Sequence, residues 1–259
     1  MSNDSEIDNL LSSISNLTIK QKYTEEEKTA AIKIQAWWRG TIFRRKRLPN
    51  ILYYIQKYLK EFDFKCSNEN EDGRINSCSD ENNIIKKLIE RFPNKIKTPK
   101  KIRHWFDILV YDFIYGWLPV NIKTTTTITN DNSGNLSICV YAYTDVLLDY
   151  DTPYYNGELS NLFFEKIKNK DYNKIDKKDY YFLVINKNNS NDIIINSVKG
   201  LTTLEPNLSN LPFQICWNKN KDFNYKPIRD NIKMVIDSFQ KPNRIWIEIF
   251  LENIRTIKL

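Results

Sequence analysis

Histidine is almost absent from this chain of 259 residues, because His104 is the only one. A Ser-His-Asp triad would have to be built on His104, and metal sites made of several histidines are excluded. His104 itself allows two interpretations, contact with a substrate or packing beside Trp105, and packing is the commoner role. The scarcity of histidine therefore removes most histidine-based catalysis from consideration.

Cysteine and long apolar runs are scarce as well. Cys66, Cys78, Cys139 and Cys216 form no CxxC pair and lack the dense spacing of a disulfide framework, which is typical of a reducing compartment. The first residues contain no apolar leader, and no apolar run is long enough to span a bilayer. We therefore expect an intracellular protein of the cytoplasm, the nucleus or a viral factory, neither secreted nor inserted in a membrane.

Glycine is rare too, with six residues, while Asn, Lys, Ile and Tyr are abundant. This composition is typical of proteins encoded by AT-rich genomes, such as those of large viruses and protists. Hydrophobic residues make up 41% of the chain, which is enough for a packed core, and the length allows one large domain or two small ones.

Positive charge is in excess, at a formal +7. Such an excess favours a polyanionic partner, nucleic acid or an anionic membrane surface. Residues 94–103 are rich in Lys and Arg, contain no acid and lead directly to Asp107. We predict that this run contacts double-stranded DNA through its phosphates, with a solvated lysine-rich loop as the alternative. The predicted contacts are Lys97, Lys100, Lys101 and Arg103.

One helix is predicted over residues 24–48, after a polar arm, residues 1–23, that we expect to be disordered. Thr24 and Glu27 form a capping box, and Pro49 ends the periodic pattern. The helix resembles an IQ motif, IQxxxRGxxxR, in every defining residue: Ile34, Gln35, Arg39, Gly40 and Arg44.

The IQ resemblance implies binding of calmodulin or a calmodulin-like protein. Ile34 and Trp38 would be apolar anchors, Gln35 would hydrogen-bond the partner, and Arg39 and Arg44 would meet its acidic surface, with Gly40 allowing close approach. An alternative use of this basic amphipathic helix stays open, in which a tryptophan packs on the protein's own domain and the arginines lie along DNA phosphates.

A polar cluster is predicted from two strand-like runs, 107–111 and 118–124, joined by a turn near residue 114. Side chains alternate along a strand, so Asn121 and Lys123 share one face, and the turn sets Asp107 opposite one of them. The hairpin therefore brings a carboxylate, an amide and an ammonium group together.

This hairpin resembles the active-site hairpin of the PD-(D/E)XK nuclease superfamily, in its type II restriction endonuclease branch. There an aspartate opens one strand, as Asp107 does here, and an acidic-X-lysine triplet lies on the next, where this chain has Asn121, Ile122 and Lys123. The segments PVNIKTT, 119–125, and LPFQICW, 211–217, look like segments found in bacterial restriction enzymes. The implied fold is α/β, a restriction-endonuclease-like mixed sheet flanked by helices, over residues 49–259.

The resemblance also implies a metal-dependent DNA endonuclease. Its cofactor would be Mg²⁺ or Mn²⁺, held by Asp107, the Ile122 carbonyl, Asn121 and a helical carboxylate, for which Glu90 on a helix predicted at 80–92 is the candidate. Catalysis would rest on Asp107, Asn121, Glu90 and Lys123, with Lys123 orienting the attacking water or helping to deprotonate it.

Three further points stay open in the sequence. Gln214, on a strand at 211–217, either reaches a DNA base or is a buried, hydrogen-bonded strand residue. Because Asn121 is a neutral ligand, the protein is alternatively an inactive nuclease-like DNA-binding or scaffold protein linked to calmodulin, or an RNase of similar mechanism. A homodimer is compatible with either function.

The remaining elements follow from apolar periodicity. A helix with a buried stripe is expected from Ile51 to Leu59. Further helices are predicted at 157–169, 227–240 and 243–256, and strands at 179–187 and 192–197. At 136–147 the apolar spacing is helical while residues 138–143 have strong strand propensity, and the nuclease resemblance favours a helix.

Overall fold

The chain divides into two units, residues 1–44 and residues 45–259. The computed structural model describes residues 24–45, 47–62, 64, 66–67, 73–100, 104–133, 135–152, 154, 156–172, 178–207, 213–238 and 245–256. The predicted disordered arm, 1–23, lies outside the described residues. In the described ranges the architecture is mixed α/β, as expected, with seven α-helices.

The helices and strands are numbered here in chain order. The helices are α1 (Glu25–Arg45), α2 (Asn50–Glu61), α3 (Gly73–Arg91), α4 (Leu136–Tyr143), α5 (Asn156–Lys168), α6 (Ile228–Ser238) and α7 (Ile245–Arg255). The strands are β1 (Ile96–Lys97), β2 (Ile108–Asp112), β3 (Gly116–Thr125), β4 (Asn130–Asp131), β5 (Tyr181–Asn186), β6 (Asn189–Ser197), β7 (Glu205–Pro206) and β8 (Phe213–Cys216). Short 3-10 turns follow β6 and β8.

A mixed sheet in the order β1-β2-β3-β5-β6 forms the centre of the second unit. Strands β2 and β3 form an antiparallel hairpin, and β3 pairs in parallel with β5. Ladder pairing between β2 and β3 ends at Ile108 and Val120, whereas β3 continues to Thr125. The carboxyl end of β3 therefore extends past its antiparallel neighbour.

Side chains alternate between the two faces of this sheet along each strand, and each face carries its own hydrophobic core. Ile108, Val120 and Ile122 pack with α2 and α3 on one face. Leu109 and Phe182 pack with α4 and α5 on the other. Helices therefore cover both faces of the sheet.

A second, small sheet has the order β4-β8-β7. Phe213 and Trp217 are buried in the core, and the Trp217 indole Nε1 donates to Asp131 Oδ2 at 3.0 Å. This bond fixes the side chain of Asp131, which lies in β4, six residues after the end of β3.

Most of the predicted elements are confirmed, with shifted ends. Every predicted helix and strand has an observed counterpart in the described ranges, and the hairpin turn lies at 113–115. The first helix ends at Arg45 rather than at 48, and α3 begins at Gly73 rather than at 80. The earlier start of α3 includes Ser77, whose hydroxyl donates to the Thr124 carbonyl at the end of β3.

The four cysteines carry free thiols. Among the described helices, none combines the length and the apolar character that a bilayer crossing requires.

Candidate functional site

The β2-β3 hairpin positions the first candidate residues as predicted. Gly116 ends its turn with φ +74°, a conformation that glycine adopts without strain. Asp112 Oδ1 accepts from the backbone N–H groups of Ile114 at 2.8 Å and Tyr115 at 3.1 Å. The register that pairs Ile108 with Val120 then sets Asp107 across from Asn121, one residue beyond the ladder.

The side chain of Asp107 forms a hydrogen bond to β3 at the point where the next backbone pair of the β2-β3 ladder would lie. Its backbone N–H donates to the Val120 carbonyl at 3.1 Å, and its Oδ2 accepts from the Ile122 N–H at 2.7 Å. Burial raises the pKa of the Asp107 carboxyl above its usual range, although Lys123 and the Ile122 bond lower it in part. The carboxyl is thus fixed in place, poorly hydrated and close to a cation.

Glu81, on α3, bonds to the next N–H group along the same edge of β3. Its Oε1 accepts from the Thr124 N–H at 3.2 Å. Ser77, one turn earlier, donates its hydroxyl to the Thr124 carbonyl at 3.3 Å, so two residues of α3 hold this helix to the end of β3. Burial is the main cause that raises the pKa of Glu81 to about 7, with Asp107 and Asp131 adding to it and Lys123 opposing it.

Beyond the end of β2, two carboxylates therefore accept the hydrogen bonds of β3 that a neighbouring strand would otherwise accept. The N–H groups of Ile122 and Thr124 are two residues apart, about 7 Å along a strand. The N–H and C=O of one strand residue point to the same side, so the Ile122 carbonyl faces this edge between the two carboxylates. Asp107, the Ile122 carbonyl and Glu81 form a row of oxygen atoms.

Lys123 places its ammonium group beside this row. Burial alone would lower its pKa, but the carboxylates of Glu81, Asp107 and Asp131 together raise it above the usual lysine value. Lys123 therefore stays protonated at neutral pH. Of the two roles considered from the sequence, this favours orientation and charge stabilisation over proton abstraction.

An open cleft of about 400 Å³ lies beside Lys123, at the carboxyl ends of the parallel strands β3 and β5. Ligands of open α/β sheets bind at such ends. Hydroxyl, amide and charged side chains dominate the lining, which consists of Ser77, Cys78, Glu81, Lys123, Thr124, Thr125, Thr126, Thr129, Asn130, Asp131, Asn132 and Lys187. This chemistry suits a polar ligand.

The oxygen row fits a hard divalent cation. Mg²⁺ is held in proteins by one or two carboxylates, with water and substrate phosphates completing its shell. Asn121 Oδ1 is buried and has no hydrogen-bond partner, so a further acceptor is available on β3. Among the described residues, no group of three His, Cys, Asp or Glu side chains could hold a metal alone. Backbone, amide and substrate oxygens would have to complete the shell.

The structure does not bring Glu90 to the site, and this prediction is corrected. Glu90 is exposed, and its carboxylate pairs with Lys87 at 2.9 Å. Another carboxylate of the same helix, Glu81, lies at this edge of β3 instead. Sequence reasoning also missed Asp131, whose strand of two residues carries no periodic signal.

The residues predicted to contact DNA have different surroundings in the structure. Lys97 lies over the ring of Trp117, 4.1 Å from its centroid, and Lys100 pairs with Asp151 at 3.1 Å. Gln214 Nε2 donates to Asn132 Oδ1 in the cleft wall at 2.6 Å. Lys101 and Arg103 lie outside the described residues. His104 packs edge to face on Phe106, with 4.4 Å between the ring centroids, as the packing interpretation expects.

The IQ segment lies within α1. The predicted capping box is confirmed: Thr24 N–H donates to Glu27 Oε2 at 2.8 Å, and Glu27 N–H donates to Thr24 Oγ1 at 3.2 Å. Ile34 has 66% of its surface exposed, and Gln35 is exposed as well. Trp38, Arg39, Gly40 and Arg44 are helical in their backbone, and their side chains lie outside the described part of the chain.

Comparison with known proteins identifies one segment of the chain. Residues 28–46 match the model of the IQ calmodulin-binding motif. No curated protein and no solved structure matches the chain. The chain therefore carries an IQ calmodulin-binding motif, which supports a calmodulin or calmodulin-like partner.

Proposed function

We propose that this protein is a metal-dependent DNA endonuclease of the restriction-enzyme type whose IQ helix binds calmodulin. The observation that carries the enzymatic proposal is the pair of carboxylates, Asp107 and Glu81, on the free edge of β3 beside the Lys123 ammonium group. An aspartate opening one strand, a lysine on the next and a carboxylate from a flanking helix are the features that the nuclease resemblance implies.

Asp107, Glu81 and the Ile122 carbonyl would hold the cation, with Asn121 as a further oxygen donor. When bound, Mg²⁺ or Mn²⁺ would supply Lewis acidity toward a phosphate oxygen and acidify a coordinated water. The Ile122 and Thr124 N–H groups keep both carboxylates in position before any ligand arrives. Such preorganisation avoids the cost of ordering the ligands during the reaction.

Lys123 acts in this scheme as a fixed positive charge. Three carboxylates keep it protonated, so it attracts the phosphodiester and balances negative charge that develops on the phosphate oxygens. The hydroxyl and amide groups that line the cleft hydrogen-bond the sugar-phosphate chain next to the cleaved bond.

Cleavage of supercoiled plasmid DNA with Mg²⁺ or Mn²⁺ tests the proposal. We expect nicking by the wild type and a rate reduced by at least about 100-fold in Asp107→Asn and Lys123→Ala, as for the removal of one electrostatic catalytic group. Glu90→Gln is the matched control, because it neutralises an exposed glutamate on α3, the helix that carries Glu81. It should keep the wild-type rate. Equal nicking by wild type and Lys123→Ala would indicate a contaminating nuclease and reject the proposal.

Binding of DNA without cleavage is the second candidate function. It is favoured by Asn121, a neutral residue where the nuclease pattern has an acid, because an amide is a weaker ligand than a carboxylate for a hard cation. In that case the wild type shifts duplex DNA in a gel and leaves plasmid intact with either metal. RNA as competitor and as substrate separates a DNase from an RNase.

Calmodulin binding at α1 is tested on the full chain by calorimetry, with Ca²⁺ and with a chelator. The exposed Ile34 would be an apolar anchor for the partner. We expect binding by the wild type and its loss in Ile34→Asp. Absence of binding by the wild type in both conditions would reject this part of the proposal.

A further inference from the structure

Four large apolar side chains are exposed close to the point where the second unit begins. Tyr53 and Tyr54 lie on the first turn of α2, with 50% and 63% of their surface exposed. Phe113 and Ile114 form the turn between β2 and β3, with 93% and 53% exposed. We call these four residues the hairpin-tip patch. An exposed apolar cluster of this kind marks an interaction site.

Asp112 joins the two halves of the patch. Its Oδ2 accepts from the Ile51 N–H at 3.4 Å in the first turn of α2, and its Oδ1 accepts from the Ile114 and Tyr115 N–H groups in the hairpin turn. Ile51 and Leu52 are themselves buried in the core. Both halves of the patch are thus carried by packed elements, and Asp112 holds the hairpin turn to the first turn of α2.

Basic residues lie on the segments next to this surface. Arg47, Lys57, Lys95 and Lys97 are exposed on the segments that border the patch, where Glu61, 3.9 Å from Lys57, partly offsets the charge. An apolar centre with a basic rim is complementary to a partner that has an apolar centre and acidic edges.

The chain itself brings such a partner to this place. The IQ match ends at residue 46, and Leu48, two residues later, is buried in the core with 7% exposure. Two extended residues span at most about 7 Å. A protein bound to the IQ motif is therefore tethered near the first turn of α2, at a high effective concentration for any second contact there.

We propose that the hairpin-tip patch is a second contact surface for the calmodulin-like protein that the IQ motif recruits. Proteins of this class present adaptable, methionine-rich apolar surfaces, which accept aromatic and branched anchors such as Phe113, Tyr54 and Ile114. This inference rests on calmodulin binding at the IQ motif and is independent of nuclease activity. The patch lies at the turn end of the hairpin, and Lys123 is seven residues, about 23 Å, further along β3 than Gly116, so a partner seated there leaves the cleft accessible.

Calorimetric titration of the full chain with purified calmodulin tests the proposal, with Ca²⁺ and with a chelator, at physiological ionic strength. We expect the double variant Tyr54→Ser with Phe113→Ser to weaken binding about tenfold, as the loss of apolar anchors does. Leu147→Ser removes another apolar side chain, 83% exposed, and is the matched control that binds like the wild type. Hydrogen exchange should show that calmodulin protects the amides of residues 111–116 in the wild type.

The outcomes separate the two claims. If Ile34→Asp abolishes binding and the double variant binds like the wild type without protection at 111–116, the patch is not a contact and IQ binding stands. If the wild type does not bind calmodulin at all, both claims are rejected. If the free chain is a dimer by light scattering and the double variant is a monomer that still binds calmodulin normally, the patch joins two copies and the proposal is overturned.

Discussion

Glu81 and Glu90 show how far the role of one residue depends on its position around a helix. They are nine residues apart, which is about half a turn out of phase, so they project from opposite sides of α3. Glu81 shares its side with Ile84 and Leu88, both buried in the core. A glutamate in register with an apolar stripe was the signal in the sequence that pointed to Glu81.

Glu81 should make the metal-free protein less stable as pH rises. Its pKa is about 7 in the folded protein against the ordinary 4.5, so the folded state binds more protons than the unfolded chain between these values. Stability from this group therefore falls from about pH 4.5 to about pH 7 and is constant above. Glu81→Gln keeps an oxygen for the Thr124 N–H and should raise the free energy of unfolding at pH 8 by on the order of 2 kcal/mol.

Urea denaturation with a chelator, at pH 4 and at pH 8, measures this effect. At pH 4 the variant and the wild type should be nearly equal, because the wild-type carboxyl is protonated in both states. Glu90→Gln, at an exposed position, should follow the wild type at both values. A Glu81→Gln variant that is no more stable than the wild type at pH 8 would show that the buried negative charge of Glu81 does not destabilise the fold.

Lys123 should stabilise the fold through its charge. Methionine keeps most of the apolar stem and removes the ammonium group, which leaves Glu81, Asp107 and Asp131 to repel one another. We expect Lys123→Met to lower the free energy of unfolding by about 3 kcal/mol at pH 8. The loss should be smaller at pH 5, where the raised pKa of Glu81 leaves its carboxyl largely protonated. An equal loss at both pH values in urea denaturation would contradict this account.

At the scale of the elements, the hairpin turn depends on the backbone of one glycine. Gly116 has φ +74°, and a Cβ there would meet no atom within 4 Å, so Gly116→Ala is penalised by its backbone alone, by about 1 kcal/mol. Gly157→Ala, in α5, also meets no atom within 4 Å and should be neutral or stabilising by up to about 1 kcal/mol. Thermal unfolding of the two variants should move in opposite directions, and a shared direction would contradict the turn geometry.

Local patterns predicted the long elements because the signal lies in consecutive residues. The capping box at Thr24 and the alternation along β3 are both complete within one segment. The site was predicted in part, since the hairpin places Asp107 across from Asn121. The positions of Glu81 and Asp131 depend on contacts between distant segments, α3 with β3 and β4 with β8, which no local pattern records.

At the scale of the whole molecule, the net charge of +7 favours polyanion binding, for which the cleft is the proposed site. Lys187 lines the cleft at the end of β5, where its N–H donates to the Thr125 carbonyl at 2.9 Å. A second lysine beyond Lys123 suits a neighbouring phosphate of the same strand.

Lys187→Ala should therefore weaken DNA binding at every sequence and reduce the salt dependence of binding by about one unit in the slope of log K against log salt. Fluorescence anisotropy of a labelled duplex over a salt series measures both quantities. Lys168→Ala, an exposed lysine at the end of α5, is the control and should keep the wild-type slope. Equal slopes for all three proteins would exclude Lys187 as a phosphate contact.

The free edge of β3 is the centre of this account, since Asp107 and Glu81 are proposed to hold one divalent cation there. Calorimetric titration with Mn²⁺ at pH 8 tests this directly in the wild type, Glu81→Gln and Glu90→Gln. We expect one ion per chain for the wild type and Glu90→Gln, with affinity weakened at least about tenfold in Glu81→Gln. Equal Mn²⁺ affinity in all three proteins, or no binding by the wild type, would contradict this expectation.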